Sequence, residues 1–261
     1  MNNCIFTTVD RNYEDHPVIL VYYNDISDEF KSFVSDKKNF ILAKYTNDNE
    51  YEEGFNLGPV GNEIVYLRYM LWTSVFDEYD DVLHLDVDTL VLGSLDNLFG
   101  RNTFTMIDNN EILPNVDILP RTEEAMHKVN EYLNNRSYDV FNPPKFGNAG
   151  VFVIPKNLRN FSNYESLVSI TKSLSDILIY ADQSAINLWM IEKDIQLSSE
   201  IEYNFQPHFF NYSGNEYDLD DVKILHFAAK KADSIQFSLW WRMKNLGTDF
   251  YSLYKKYLEM K

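Results

Sequence analysis

A chain of 261 residues with 45% hydrophobic and 15% aromatic side chains holds enough apolar material for a sizeable core, and its length suits one α/β domain over residues 1–261. A formal net charge of −17 argues against nucleic acid as a partner, because DNA and RNA binders present a basic stripe that displaces counterions from phosphate. The single cysteine, Cys4, excludes an intrachain disulfide and a thiolate zinc cluster. It agrees with a reducing compartment. No apolar run reaches the ~18–20 residues that cross a bilayer, and no charged, apolar leader opens the chain, so a soluble, unprocessed, cytoplasmic protein without a membrane span is expected.

Apolar runs at Cys4–Val9 and Val18–Tyr23 read as buried strands. Between Asn62 and Phe76, residues Ile64, Leu67, Leu71 and Val75 recur at spacings of three and four, the signature of one buried helix face. Arg68 falls on that face and needs an anionic partner, in a ligand site or in a structural ion pair, unless its head snorkels to the surface. Val82–Leu85 and Phe104–Ile107 are further strands, the second leading into Asp108. Asn109–Lys145, with Pro114, Pro120, Pro143 and Pro144, is the most irregular stretch and reads as a partly helical lid. A strand at Val151–Ile154 precedes a helix marked by Leu167, Ile170, Leu174 and Ile177. Asp182 and Gln183 open another, carried by Ala185, Ile186, Trp189 and Met190; Asp182 fits its N-cap as well as a site role. Val222–Phe227 is the last strand, and Phe250, Leu253, Tyr254, Tyr257 and Leu258 mark a final helix. Strands alternating with helices predict an α/β sheet covered on both faces, with ligands at the carboxyl ends of strands, here after Leu85 and after Phe227. No repeat, low-complexity tract or Gly/Ser linker divides the chain.

Within Val82–Leu92, Asp86 and Asp88 interrupt an apolar run, and burying either as a bare charge costs several kcal/mol. Two-residue periodicity puts both on one side, where they reach one cation. Oxygen ligands suit Mg²⁺ or Mn²⁺, which leave positions for phosphate and water. An acidic turn or helix N-cap is the structural alternative. Asp-x-Asp also ends the nucleophilic strand of haloacid-dehalogenase-type phosphatases, but Leu90 stands where those enzymes carry threonine. His226, after Val222–Leu225, is either a neutral imidazole ligand or a hydrogen-bonded core histidine.

Four segments in order resemble the glycogenin-like family 8 of retaining glycosyltransferases. They are Leu85–Leu92 followed by Leu95-Asp96-Asn97-Leu98-Phe99, then Asn148-Ala149-Gly150-Val151-Phe152-Val153, Ala181–Asn187, and His226-Phe227. The likeness runs over roughly residues 64–232, about two-thirds of the chain. It implies a GT-A fold, a Rossmann-like central mixed β-sheet flanked by helices. Asp86, Asp88 and His226 would hold Mn²⁺ (or Mg²⁺), with Val87 in the same donor-binding block. Arg68 would sit against the donor and the metal carboxylates, Asp108 would bind sugar hydroxyls unless it only forms the turn after its strand, and Asn148 and Ala149 would contact the donor sugar. Asp182 and Gln183 would be the catalytic pair beside the transferred sugar, where a carboxylate or amide stabilises positive charge at the anomeric carbon. Thr8, Asp10 and Tyr13 look like the family's Thr/Asn/Tyr uridine pocket, Tyr13 offering a ring for stacking.

After the histidine the family carries Gly and then Lys-Pro-Trp. Here Ala229 and Ala232 stand at the Gly and Lys positions, and Lys230 or Lys231 would meet the diphosphate by a shift of register. The implied activity is transfer of glucose or galactose from a UDP-sugar to a glycan or protein acceptor, with a second copy of the chain as a further expected partner. Glycogenin-like self-glucosylation makes Tyr212 a candidate acceptor, against the alternative that it is one of many semi-buried tyrosines. The competing readings are nucleotidyl transfer, UDP-sugar hydrolysis, and a nucleotide-sugar-binding protein with weak or lost turnover.

Overall fold

The computed structural model describes residues 4–9, 18–22, 27–36, 40–44, 63–86, 89–108, 117–133, 138–206 and 221–226. Within them the strands are β1 (Cys4–Val9), β2 (Val18–Tyr22), β3 (Phe40–Lys44), β4 (Asp81–Leu85), β5 (Thr89–Val91), β6 (Thr105–Asp108), β7 (Gly147–Pro155) and β8 (Ile224–His226). Six form one sheet in the order β3-β2-β1-β4-β7-β6, while β5 pairs with β8 in a separate ribbon. β2 and β3 run parallel and the other neighbours antiparallel, so the sheet is mixed. The parallel pair is bridged by helix α1 (Asp28–Ser35), as a parallel crossover requires.

Alternation along the strands divides two cores across the sheet. Val82, Phe152 and Ile154 join Tyr69, Trp72, Phe104 and Trp189 on one face; Leu83, Leu85, Val151 and Val153 join Leu95, Leu98, Ile107 and Ile224 on the other. Both faces of β4 and β7 are therefore buried, which is why these strands read as unbroken apolar runs. At the centre, the Trp72 ring lies 5.4 Å from Trp189, 5.6 Å from Phe152 and 5.7 Å from Phe104. Three α-helices pack on the Trp72 face: α2 (Glu123–Tyr132), α3 (Phe161–Leu174) and α4 (Ala181–Glu192). Thr122 caps α2 by accepting from Ala125 N–H, and Asn160 caps α3 by accepting from Asn163 N–H.

Two expectations need correction. The periodic segment Glu63–Trp72 winds as a 3₁₀ helix. With about three residues per turn its buried face drifts: Leu71 is buried as expected, but so are Tyr69 and Trp72, Phe76 follows them inward, and Val75 is 51% exposed. The supposed lid, where described, is core. Ile118, Leu119, Ala125, Val129, Leu133, Tyr138 and Val140 are all buried in the main cluster, and a segment so packed cannot lift without opening the hydrophobic centre. The C-terminal helix of Phe250–Leu258 lies outside the described residues. No helix among the described residues is long and apolar enough to cross a membrane.

Candidate active site

Strand β4 delivers Asp86 at its carboxyl end, where the Asp86 N–H donates to Gly150 C=O at 2.8 Å. Because β7 runs antiparallel, its opening residues lie alongside: Leu85 pairs with Val151, and across β7 Asp108 pairs with Gly147. One sheet edge thus gathers Asp86, Asp108 and the segment Gly147–Gly150.

Helix α4 is tied to the same edge by amides. Gln183 Oε1 accepts from Asn148 Nδ2 (3.0 Å) and from Ala149 N–H (3.1 Å). One turn on, Asn187 accepts from Gly147 N–H at 2.7 Å and donates to Gly147 C=O at 2.9 Å. The first turn is set by Ser184, whose hydroxyl accepts from Tyr180 N–H and donates to Ile118 C=O. Ala181 is held at φ 43°, a left-handed conformation that strains a non-glycine residue and is sustained only by this surrounding network. The N-cap is Tyr180. Asp182 is therefore inside the helix's first turn, and the N-cap reading for it falls.

Arg68 spans two carboxylates. Its Nη2 is 3.2 Å from Asp86 Oδ1, its Nε 2.7 Å from Asp182 Oδ2, and its Nη1 donates to Ala149 C=O at 2.9 Å. The guanidinium side chain is 13% exposed, Asp182 9% and Asp86 30%, so Asp86 is the acid that opens to solvent. One cation cannot neutralise two carboxylates equally. Burial works to raise Asp86, but Arg68 and the bond from His84 hold it well below the usual carboxylate range. For Asp182 burial wins over the pull of Arg68, and with Asp86 adding repulsion its pKa is pushed up to about 6.

His226 reaches the same place from the ribbon, where Thr89 pairs with His226 and the His226 N–H donates to Phe205 C=O. Its Nδ1 lies 2.7 Å from Asn204 Oδ1, and Asn204 Nδ2 donates in turn to Asn148 Oδ1 at 3.1 Å. A carboxamide oxygen only accepts, so Nδ1 carries a proton and Nε2, 3.8 Å from Asp86 Oδ2, is the ring nitrogen that would serve as a metal ligand. Gly150 makes room for this ring: a Cβ there would stand 2.1 Å from His226 Cε1.

Asp108 is buried at the end of β6 with Lys145 Nζ 2.7 Å from its Oδ2. Thr8 lies in β1, paired with Val18 and Leu83. Asp10, Tyr13, Val87, Asp88, Tyr212, Lys230 and Lys231 lie outside the described residues. Two of the three expected metal ligands are accordingly placed, and among the described residues no group of three or more His, Cys, Asp and Glu is arranged to hold a metal ion. The structure brings Arg68, Asp86, Asn148, Ala149, Asp182, Gln183 and His226 together. It adds His84, Lys145 and Asn204, which sequence reasoning missed, and gives Asn187, quoted within Ala181–Asn187 without a role, its two bonds to Gly147. Asn187 stands one helical turn after Gln183, a spacing that signals a shared face; Asn204 and Lys145 leave no such sign.

A family model for glycosyl transferase family 8 matches residues 6–232. The chain belongs to glycosyl transferase family 8. Galactinol synthase 2 of Arabidopsis thaliana is 26% identical over 186 residues, covering 67% of this family 8 chain and 51% of the relative, so the chain spans about half the length of that relative. The solved galactosyltransferase LgtC, in complex with donor and acceptor sugar analogs, matches with a TM-score of 0.50 at 18% identity over 78% of this chain and 73% of LgtC. An active-site mutant of LgtC matches with a TM-score of 0.54 at 20% identity, over 78% and 74% of the two chains. These likenesses establish the GT-A fold of this family 8 member.

Proposed function

We propose that the chain is a metal-dependent retaining glycosyltransferase, one domain over residues 1–261, that moves glucose or galactose from a UDP-sugar to an acceptor. The observation that carries this reading is the convergence of Asp86 and His226 beside an Asp182 held by Arg68. Oδ2 of Asp86 and Nε2 of His226 are 3.8 Å apart, within reach of one ion bound at ~2.0–2.2 Å from each. The Asn204 bond engages the Nδ1 proton and so directs Nε2 toward the ion, and the bare Cα of Gly150 leaves the ring its place. These residues fit Mn²⁺ or Mg²⁺, with Asp88 as the third protein ligand. When bound, the ion supplies Lewis-acid neutralisation of the charge on the departing diphosphate.

The chain's own groups do the rest. Arg68 fixes the Asp86 and Asp182 carboxylates relative to each other. Asp182 and Gln183 flank the transferred sugar, the ionised carboxylate stabilising the oxocarbenium-like centre. Gln183 also pins Asn148 and Ala149, which line the donor sugar, while Asp108 with Lys145 offers acceptor and donor groups to its hydroxyls. Thr8, Asp10 and Tyr13 take the uridine, and Lys230 or Lys231 the diphosphate. The similar proteins carry galactose in their names, galactinol synthase and galactosyltransferase, so UDP-galactose heads the donor panel with UDP-glucose.

The test is UDP release with Mn²⁺ across both donors, without acceptor and then with sugars and proteins. Asp88→Ala should abolish metal-dependent turnover, and a variant that kept it would sink the assignment. Intact mass after incubation reads self-transfer; with Tyr212 as acceptor, Tyr212→Phe removes the hexose increments. The alanines at 229 and 232 favour a second reading, a nucleotide-sugar-binding protein or UDP-sugar hydrolase. UDP with free sugar supports hydrolysis, and tight donor binding without product supports the binding protein.

A further inference from the structure

We propose that His84 is a positioning residue that aims Asp86 at its cation. It donates an Nε2–H to Oδ1, so that Oδ2 is the oxygen left facing His226. The inference rests on the metal reading above. His84 and Asp86 are two residues apart at the end of β4, so alternation puts both side chains on one side of the sheet. The imidazole Nε2 is 3.1 Å from Asp86 Oδ1, and Arg68 Nη2 reaches the same oxygen at 3.2 Å. Two donors from two elements thus converge on Oδ1, and neither takes Oδ2, which lies toward His226 Nε2. An ionised carboxylate cannot donate, so Nε2 carries the proton of a neutral ring.

A packing role explains the position poorly. The ring is buried, stacked on Phe152 with centroids 4.6 Å apart and planes at 24°, among the large apolar side chains of the main core. Its Nδ1 is buried with no hydrogen-bond partner among the described residues, a state that costs free energy and that phenylalanine would avoid in the same slot. What imidazole adds over phenylalanine is the N–H at Oδ1. Outer groups of this kind set the orientation of metal ligands, and their loss typically weakens metal affinity by about 10–100-fold.

The experiment titrates the purified chain with Mn²⁺ and follows free Mn²⁺ by its electron paramagnetic resonance signal, alongside thermal melting. His84→Phe should raise the Mn²⁺ Kd by about 10–100-fold without lowering Tm, whereas a purely structural histidine would lose Tm and leave affinity in place. His84→Gln, which restores an N–H but not the aromatic stack, should bind Mn²⁺ more tightly than His84→Phe; His84→Leu stands in should the phenylalanine variant not fold. Wild-type affinity in His84→Phe, or glutamine and phenylalanine variants equally weak, overturns the positioning role. A wild-type chain that takes up no Mn²⁺ overturns the metal reading and this inference with it.

Discussion

Arg68 stands between two acids and can satisfy only one in full. Asp86, partly open to water and bonded by two donors, keeps its charge; Asp182, more deeply enclosed, is the acid whose proton returns first. The consequence for stability has a definite sign. Between its ordinary pKa of 3.8 and about 6, the native chain holds a proton on Asp182 that the unfolded chain has lost. The residue's contribution is thus fully present below that window and lost as pH rises through about 6, an effect on the order of 2–3 kcal/mol. Urea unfolding across this range should show the wild type losing stability relative to Asp182→Asn as pH rises; parallel curves would contradict the desolvated carboxyl. His84 is held in the opposite sense, burial pulling its pKa down to about 4 against the bond from Asp86. Arg68 was legible in the sequence as a cation needing an anion, since it interrupts an apolar pattern. That it would serve two anions was not, because Asp86 and Asp182 lie on different elements.

At the scale of elements, the site is a junction of β4, β7, α4 and β8, closed by small-residue contacts and amide side chains. Gly150 is the tightest point. Gly150→Ala would place a methyl group 2.1 Å from the His226 ring and force β8 away from the sheet edge. We expect a destabilisation of about 1–3 kcal/mol with weakened Mn²⁺ binding, read by chemical denaturation and metal titration; unchanged values for both would mean the ring is free to move. Asn187→Ala removes both bonds to Gly147 and leaves a buried N–H and C=O unpaired. The cost should be about 1–3 kcal/mol, with donor binding impaired because α4 then slides on β7; a variant as stable as wild type would contradict this tie. Strands β1, β2, β4, β6, β7 and β8 were readable from apolar runs to within a few residues at their ends. β3 was missed because five residues ending in Lys44 carry little periodic signal, and β5 because it continues the aspartate segment.

The sheet carries apolar clusters on both faces, β4 and β7 contributing to both. Damage to one face should therefore propagate to the other. Trp72→Ala deletes the fully buried hub shared by Phe104, Phe152 and Trp189, and we expect a loss of about 3–5 kcal/mol. Far-UV circular dichroism and residual tryptophan fluorescence should shift together to lower urea. Separate transitions would show the two clusters unfolding independently and would count against a single domain.

The amino-acid order alone determined the α/β class, the buried strands of the sheet centre and the conspicuous cost of Asp86, because local periodicity and the desolvation of charge are properties of short segments. Tertiary structure decided which groups share that cost. Asn204 looks like an ordinary polar residue until it is seen between His226 and Asn148, and Asn187, though part of a quoted segment, gains its partner only when α4 is laid along β7. His84 reads as one more buried strand position until its N–H is seen at Asp86, and Asp182 reads as a helix cap until Arg68 arrives from a segment more than a hundred residues away. Interactions between distant segments depend on the folded path of the backbone, which no spacing within one segment records.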